Sequence, residues 1–194
     1  MRIYERIHKL TRKIAEQCRD IDEKSINKFI EMIAKSGRIF IHGAGRSGLV
    51  ARAFAMRLMH LGFIVYVVGE TITPAVRKGD LFITLSGSGK TLSVVTITKI
   101  AKEKGLKIVA ITSHADSSLG RLADCVVRIK GRKLDNEKRD YVARQLVGEH
   151  EPVTPLGTLF ELSSMVFLDT VVEEIMRRYK KSEEHMKALH SELE

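Results

Sequence analysis

The chain predicts an α/β fold, a three-layer αβα sandwich around a five-stranded parallel sheet ordered 2-1-3-4-5. Short apolar runs alternate with helical stretches between residues 38 and 129, the pattern of a parallel sheet covered on both faces. Two glycine-rich turns, Gly43-Ala44-Gly45-Arg46-Ser47-Gly48 and Ser86-Gly87-Ser88-Gly89-Lys90-Thr91, each lead from a strand into a helix. In a sheet of this order the strands before them are neighbours, and the crevice between the turns is the topological switch point where such folds bind ligands.

Residues 2–19 and 22–36 read as helices, with Ile3, Ile7, Leu10 and Ile14, then Ile26, Phe29, Ile30 and Ile33, at helical spacing. Ser36-Gly37 stops the second. Strands are predicted over 38–42, 63–68, 80–85, 107–112 and 125–129, and helices over 47–61, 91–104 and, briefly, 117–123. Residues 130–156 are polar, hold Pro152 and Pro155, and predict a long exposed loop with a helical turn near 138–146. From Gly157 a helix runs to about Lys180, apolar around too much of its circumference for one buried stripe. Burial against the sheet on one side and a second subunit on the other is the expectation, giving a homodimer or homotetramer. The 194 residues are expected to form one domain: N-terminal helices 1–36, a βα core 37–129, the loop 130–156 and C-terminal helices 157–194.

With 33 Lys and Arg against 24 Asp and Glu, the formal charge is +9. The cations are interleaved with acids in residues 2–20 and 130–151, which reads as solvated surface rather than a nucleic-acid stripe. Arg46, Arg52 and Arg57 follow the first turn and bias that region toward anions. No apolar run approaches the ~18 residues of a membrane span, and the N-terminus carries charges where a signal peptide needs its apolar stretch, so a cytoplasmic protein without a membrane partner is expected. Cys18 and Cys125 lack metal or disulfide spacing and read as reduced. His185 and His190 are five residues apart, where ligands on one helix face stand three or four apart, so no metal is expected.

The first turn matches the dinucleotide fingerprint GxGxxG, and Glu70 follows the second strand where a ribose-binding acid would stand. Against a dinucleotide stand the two preceding helices and the lack of a separate substrate domain. The second turn resembles the end of a Walker A loop, but Thr84 occupies the position of its first glycine and the turn is too short to wrap a triphosphate. MVFLD (165–169), which resembles a Walker B strand, falls inside a helical pattern. Taken together, the turns suit a single phosphate: two helix N-termini, with hydroxyls from Ser86, Ser88 and Thr91 and Ser47 facing them. The plainer alternative makes these serines ordinary helix caps.

GAGRSGLVARAFAMRLMHLG, GETITP, SGSGKT and PLGTLFELSSMVFLD, in this order and spacing, resemble the 6-phospho-3-hexuloisomerases of the sugar isomerase (SIS) domain superfamily. The likeness runs from about Gly43 to the closing His190-Ser-Glu-Leu-Glu194, with Lys90 departing from the Glu or Arg common in relatives. It implies cofactor-free interconversion of D-arabino-hex-3-ulose 6-phosphate and D-fructose 6-phosphate through a cis-enediol, a step of formaldehyde fixation or, in reverse, of pentose supply. That chemistry needs a phosphate anchor, a base beside the carbon and a donor for the enolate oxygen.

The resemblance assigns Glu161 as the base, where a first-turn Glu could otherwise merely stabilise the helix dipole. His60 is a candidate acid or ring-opening residue, or else a packed imidazole. His190 matches the family's closing His-x-x-Leu-Glu, which suggests a tail folded over a site, its own or a neighbour's, so sites are expected near subunit interfaces. The expected substrate-binding set is Gly45, Arg46, Ser47, Ser86, Gly87, Ser88, Gly89, Lys90 and Thr91. A phosphosugar-binding regulator and an isomerase of another sugar phosphate remain alternatives.

Overall fold

A computed structural model describes residues 2–131 and 157–190, so the expectations for 132–156 and for the closing residues 191–194 lie outside it. Among the described residues, β1 (Ile39–Gly43), β2 (Val65–Val67), β3 (Leu81–Leu85), β4 (Lys107–Thr112) and β5 (Cys125–Arg128) form one parallel sheet ordered β2-β1-β3-β4-β5. Alternation along the strands sends Ile39, Ile41, Ile83, Val109 and Ile111 to one face and Phe40, Phe82, Ile108 and Ala110 to the other, and both faces are buried.

The first face is covered by α2 (Glu23–Lys35), α3 (Gly45–His60) and α5 (Thr158–Tyr179), the second by α4 (Leu92–Glu103). α1 (Ile3–Arg19) lies outermost against α5, and α6 (Glu183–Ala188) follows α5. Asp22 caps α2 by accepting the Ser25 N–H at 2.8 Å, and the helix buries Phe29, Ile30 and Ile33. The Phe29 ring lies 6.1 Å from that of Phe54 and 6.4 Å from that of Phe167, joining α2, α3 and α5 into one core. At the amino-terminal edge of the sheet Arg38 clamps Asp80, Nε donating at 3.1 Å and Nη2 at 2.5 Å, while the Arg77 N–H donates to Asp80 at 2.7 Å. The clamp fixes the entries to β1 and β3.

Three expectations change. Residues 117–123 hold only a 3-10 turn at Gly120–Leu122, because the Ser117 hydroxyl accepts the Gly120 N–H and the chain folds back so tightly that a β-carbon on Gly120 would lie 2.0 Å from the Ala115 carbonyl oxygen. β2, at the sheet edge, forms only over Val65–Val67 rather than 63–68. The burial of α5 on more than one side comes from this chain itself: α1 and α2 pack on one flank and α3 on another, leaving Val166 half exposed. Among the elements that leave apolar side chains open is α1, which buries no residue and exposes Ile3, Tyr4 and Ile7. Among the described residues no helix is long and apolar enough to cross a membrane, and Cys18 and Cys125 are free thiols, as read from their spacing.

Candidate active site

Gly43 of β1 stands in register with Leu85 of β3, so the two glycine-rich turns open side by side at the carboxyl edge of the sheet. The first is spelled by packing. A β-carbon on Gly48 would lie 2.7 Å from the Gly43 carbonyl oxygen, so α3 can start this close to the strand end only with glycine at 48. Gly45, at φ +57°, turns the chain, leaving Ser47 half-buried and Arg46 on the exposed side. Glu70 is ion-paired with Arg52, an assignment at odds with a ribose-binding acid.

In the second turn the buried Ser86 hydroxyl accepts the Gly89 N–H at 3.2 Å and lies 3.1 Å from Thr91 Oγ1. Ser88 Oγ accepts the Lys90 N–H at 3.2 Å. Thr91 stands immediately before α4 yet makes no capping bond with its hydroxyl, so this side chain is not the ordinary cap of the plainer reading. From behind, the turn is held by the loop after β4: the Ser113 N–H and Thr112 hydroxyl both donate to the Gly87 carbonyl, at 3.1 and 3.3 Å, and Ser117 fills the space beside Gly89. The result is a short nest of hydroxyls and N–H groups at a helix N-terminus, which suits one compact anion.

The first turn of α5 meets both of these turns. Gly157, at φ +77°, sets the entry, and its carbonyl accepts the Glu161 N–H at 3.1 Å. Glu161 points inward with its side chain only 12% exposed, and Arg46 Nε donates to its Oε2 as an ion pair. Beside it, the Phe160 ring lies against Gly87. Carboxylate, guanidinium, Ser47 and the Ser-x-Ser-x-x-Thr turn thus gather in one crevice, which can hold a phosphate at one end and offer a base at the other.

Two expected catalytic residues are elsewhere in the chain. His60 ends α3, which puts it about 20 Å along the helix from Ser47. It is 4% exposed, and its ring stacks on His190 with centroids 5.0 Å apart. Both line a cleft of about 440 Å³ with Arg57, Asp169, Glu173 and Lys187. The expected cluster of Arg46, Arg52 and Arg57 is likewise strung along α3: Arg52 pairs with Glu70 and Arg57 with Asp169 at 3.9 Å, and only Arg46 reaches the crevice. Sequence reasoning passed over Gly157 and Phe160. Their one signal was adjacency to Glu161 in the motif that carried the family resemblance.

A phosphate-sized nest at the switch point of a 2-1-3-4-5 sheet is the setting in which the sequence comparisons fall. Residues 32–135 match the SIS domain, and the chain belongs to that family. It is 38% identical to the 3-hexulose-6-phosphate isomerase of Methylomonas aminofaciens, over 97% of this chain and 95% of that one. An uncharacterized protein of Aeropyrum pernix is 48% identical over 93% of this chain and 87% of its own. Among solved structures, a Methanococcus jannaschii protein whose crystal structure infers a molecular function of 3-hexulose-6-phosphate isomerase superposes with a TM-score of 0.78, at 37% identity over 98% of this chain and 99% of that one.

Proposed function

We propose that this protein is a 3-hexulose-6-phosphate isomerase that interconverts D-arabino-hex-3-ulose 6-phosphate and D-fructose 6-phosphate without a cofactor. The observation that carries the reading is the convergence of Glu161 with the phosphate-sized nest through the first turn of α5, in a chain alike over nearly its whole length to proteins of that name. The hydroxyls of Ser86, Ser88 and Thr91, two of them oriented by the Gly89 and Lys90 N–H groups, hold the phosphate on the Gly87–Lys90 turn, with the N-terminus of α4 behind them. Gly45, Arg46 and Ser47 face the sugar from the first turn. Glu161 takes the proton from one carbon of the C2–C3 pair and returns it to the other, and the ketone moves through a cis-enediol.

The chain acts as one SIS domain in a cytoplasmic homodimer or homotetramer. Two observations support assembly: the open apolar face of α1, and the distance of His60 and His190 from Glu161 in the same chain. In an oligomer these histidines serve a neighbour's crevice as acid or ring-opening groups.

The test is a coupled assay for fructose 6-phosphate formed from the 3-hexulose phosphate, on the parent and on Glu161→Gln. Glutamine keeps the shape and removes the base, so turnover falls ~100-fold or more while fructose 6-phosphate still protects against thermal unfolding. Exchange of the C2 or C3 hydrogen with heavy water vanishes as well. Near-normal turnover in the variant overturns the assignment of the base. No turnover by the parent, with fructose 6-phosphate still bound, makes the chain a phosphosugar-binding module or an isomerase of another sugar phosphate.

A further inference from the structure

Phe160 is the buried residue preceding the base, and two glycines from different parts of the sheet edge lie against it, Gly87 beside the ring and Gly131 beside its β-carbon. A β-carbon on Gly87, inside the phosphate turn, would lie 3.0 Å from Phe160 Cδ1, 3.2 Å from Cγ and 3.5 Å from Cε1. A β-carbon on Gly131, just past β5, would lie 3.5 Å from Phe160 Cβ and 2.8 Å from Ser113 Oγ. The ring therefore rests almost on the backbone of the turn, and Ser113 in turn donates its N–H to the Gly87 carbonyl. No other contact described above joins α5 directly to the phosphate turn. The Arg46 pair reaches Glu161 from the first turn.

We propose that Phe160 is a positioning residue that fixes the distance between the phosphate anchor and the Glu161 carboxylate. The inference rests on Glu161 being the base. An enediol mechanism needs the base beside C2 and C3 of a sugar whose phosphate, at C6, is held several bonds away, so the anchor-to-base span decides whether the carboxylate meets the right hydrogens. Residues 160 and 161 share a rigid helical turn. Resting one on the anchor sets the other, and glycine at 87 lets the ring approach closely enough to transmit the position. A plain packing role would affect stability alone, whereas this role appears in the rate at constant phosphate affinity.

The experiment compares the parent, Phe160→Leu, Gly87→Ala and the double variant for kcat, KM, inhibition by inorganic phosphate and midpoint of thermal unfolding. Phe160→Met, whose unbranched and flexible side chain adapts to irregular gaps, stands in if the leucine variant does not fold. Phe160→Leu keeps every phosphate-binding group, so phosphate inhibition stays within ~3-fold of the parent while kcat falls roughly 10- to 100-fold. Gly87→Ala pushes its methyl into the ring and weakens both kcat and phosphate inhibition. In the double variant the smaller side chain makes room, and phosphate inhibition returns toward the Phe160→Leu value. Parental kcat in a folded Phe160→Leu or Phe160→Met protein overturns the proposal, as does a Gly87→Ala defect that the leucine fails to relieve.

Combining Phe160→Leu with Glu161→Gln separates this proposal from the one beneath it. With no base left to misplace, the leucine causes little further loss of rate. If Glu161→Gln alone is active, the assignment of the base has failed, and the relief of Gly87→Ala by leucine still reports whether the ring and turn are coupled.

Discussion

Replacing Gly157 by alanine perturbs the site in two separable ways. The residue sits at φ +77°, where an L-residue with a β-carbon is strained by roughly 1–2 kcal/mol. For a chain of this size that lowers the unfolding midpoint by roughly 2–8 °C. The added carbon would also stand 2.9 Å from Glu161 Oε1, about 0.5 Å or more inside ordinary van der Waals separation. The carboxylate must then move, and since a displacement of about 1 Å can lower a rate ~100-fold, kcat is expected to fall roughly 10-fold. Asparagine separates the effects, because it tolerates the left-handed conformation but carries the same β-carbon. Gly157→Asn should recover much of the lost midpoint and little of the lost kcat, measured by thermal unfolding and by the coupled fructose 6-phosphate assay. Parental kcat in Gly157→Ala, or recovery of kcat together with the midpoint in Gly157→Asn, would refute the argument that the glycine makes room for the carboxylate.

Ser86→Ala combined with Thr91→Ala removes two hydroxyls from the nest, and with each bond to a charged group worth roughly 1.5–3 kcal/mol, KM and phosphate inhibition should both weaken by more than 100-fold; unchanged values place the phosphate elsewhere. Asp80→Ala removes the anionic partner of Arg38, which keeps only the Ala75 carbonyl, and the acceptor of the Arg77 N–H, so the unfolding midpoint should drop by roughly 5–10 °C while kcat at lower temperature holds, the clamp being at the opposite edge of the sheet. Burial holds the His42 imidazole below its ordinary pKa of 6.5. The folded state then binds fewer protons than the unfolded one as pH falls through 6.5, and stability declines from there downward. His42→Gln should flatten that slope between pH 7 and 5, and an unaltered slope would assign it to other groups.

Strands β1, β3, β4 and β5 were legible to within about a residue at each end, because a buried parallel strand needs a continuous apolar run and such runs are hard to mistake. β2 was shortened because Phe63 and Ile64 read as strand by composition, whereas edge pairing is decided by the neighbour. The short helix expected over 117–123 gives way to a 3-10 turn because of a serine hydroxyl and a close backbone approach, both tertiary facts. At the site, the hydroxyl-bearing turn was legible from residue type and spacing, whereas Glu161 was singled out only by the family resemblance, since a first-turn Glu is also what a helix dipole favours. His60 and His190 were not placed, because spacing says that a residue is on a helix and not how far its helix carries it. Phe160 carried no such signal, because an aromatic on an apolar helix face bears no mark of what its ring touches.

The contact between Gly43 and Gly48 bears on how glycine fingerprints are read in general. Any parallel strand that turns straight into a helix must bring two backbones within reach of a single methyl group, and the spelling that permits it is nearly fixed by geometry. Such letters therefore report an angle between two elements, and unrelated ligands inherit them. The chemical information is in the residues that geometry leaves undecided, here a guanidinium and a few hydroxyls, so two proteins with the same glycines can share architecture and recognise nothing in common.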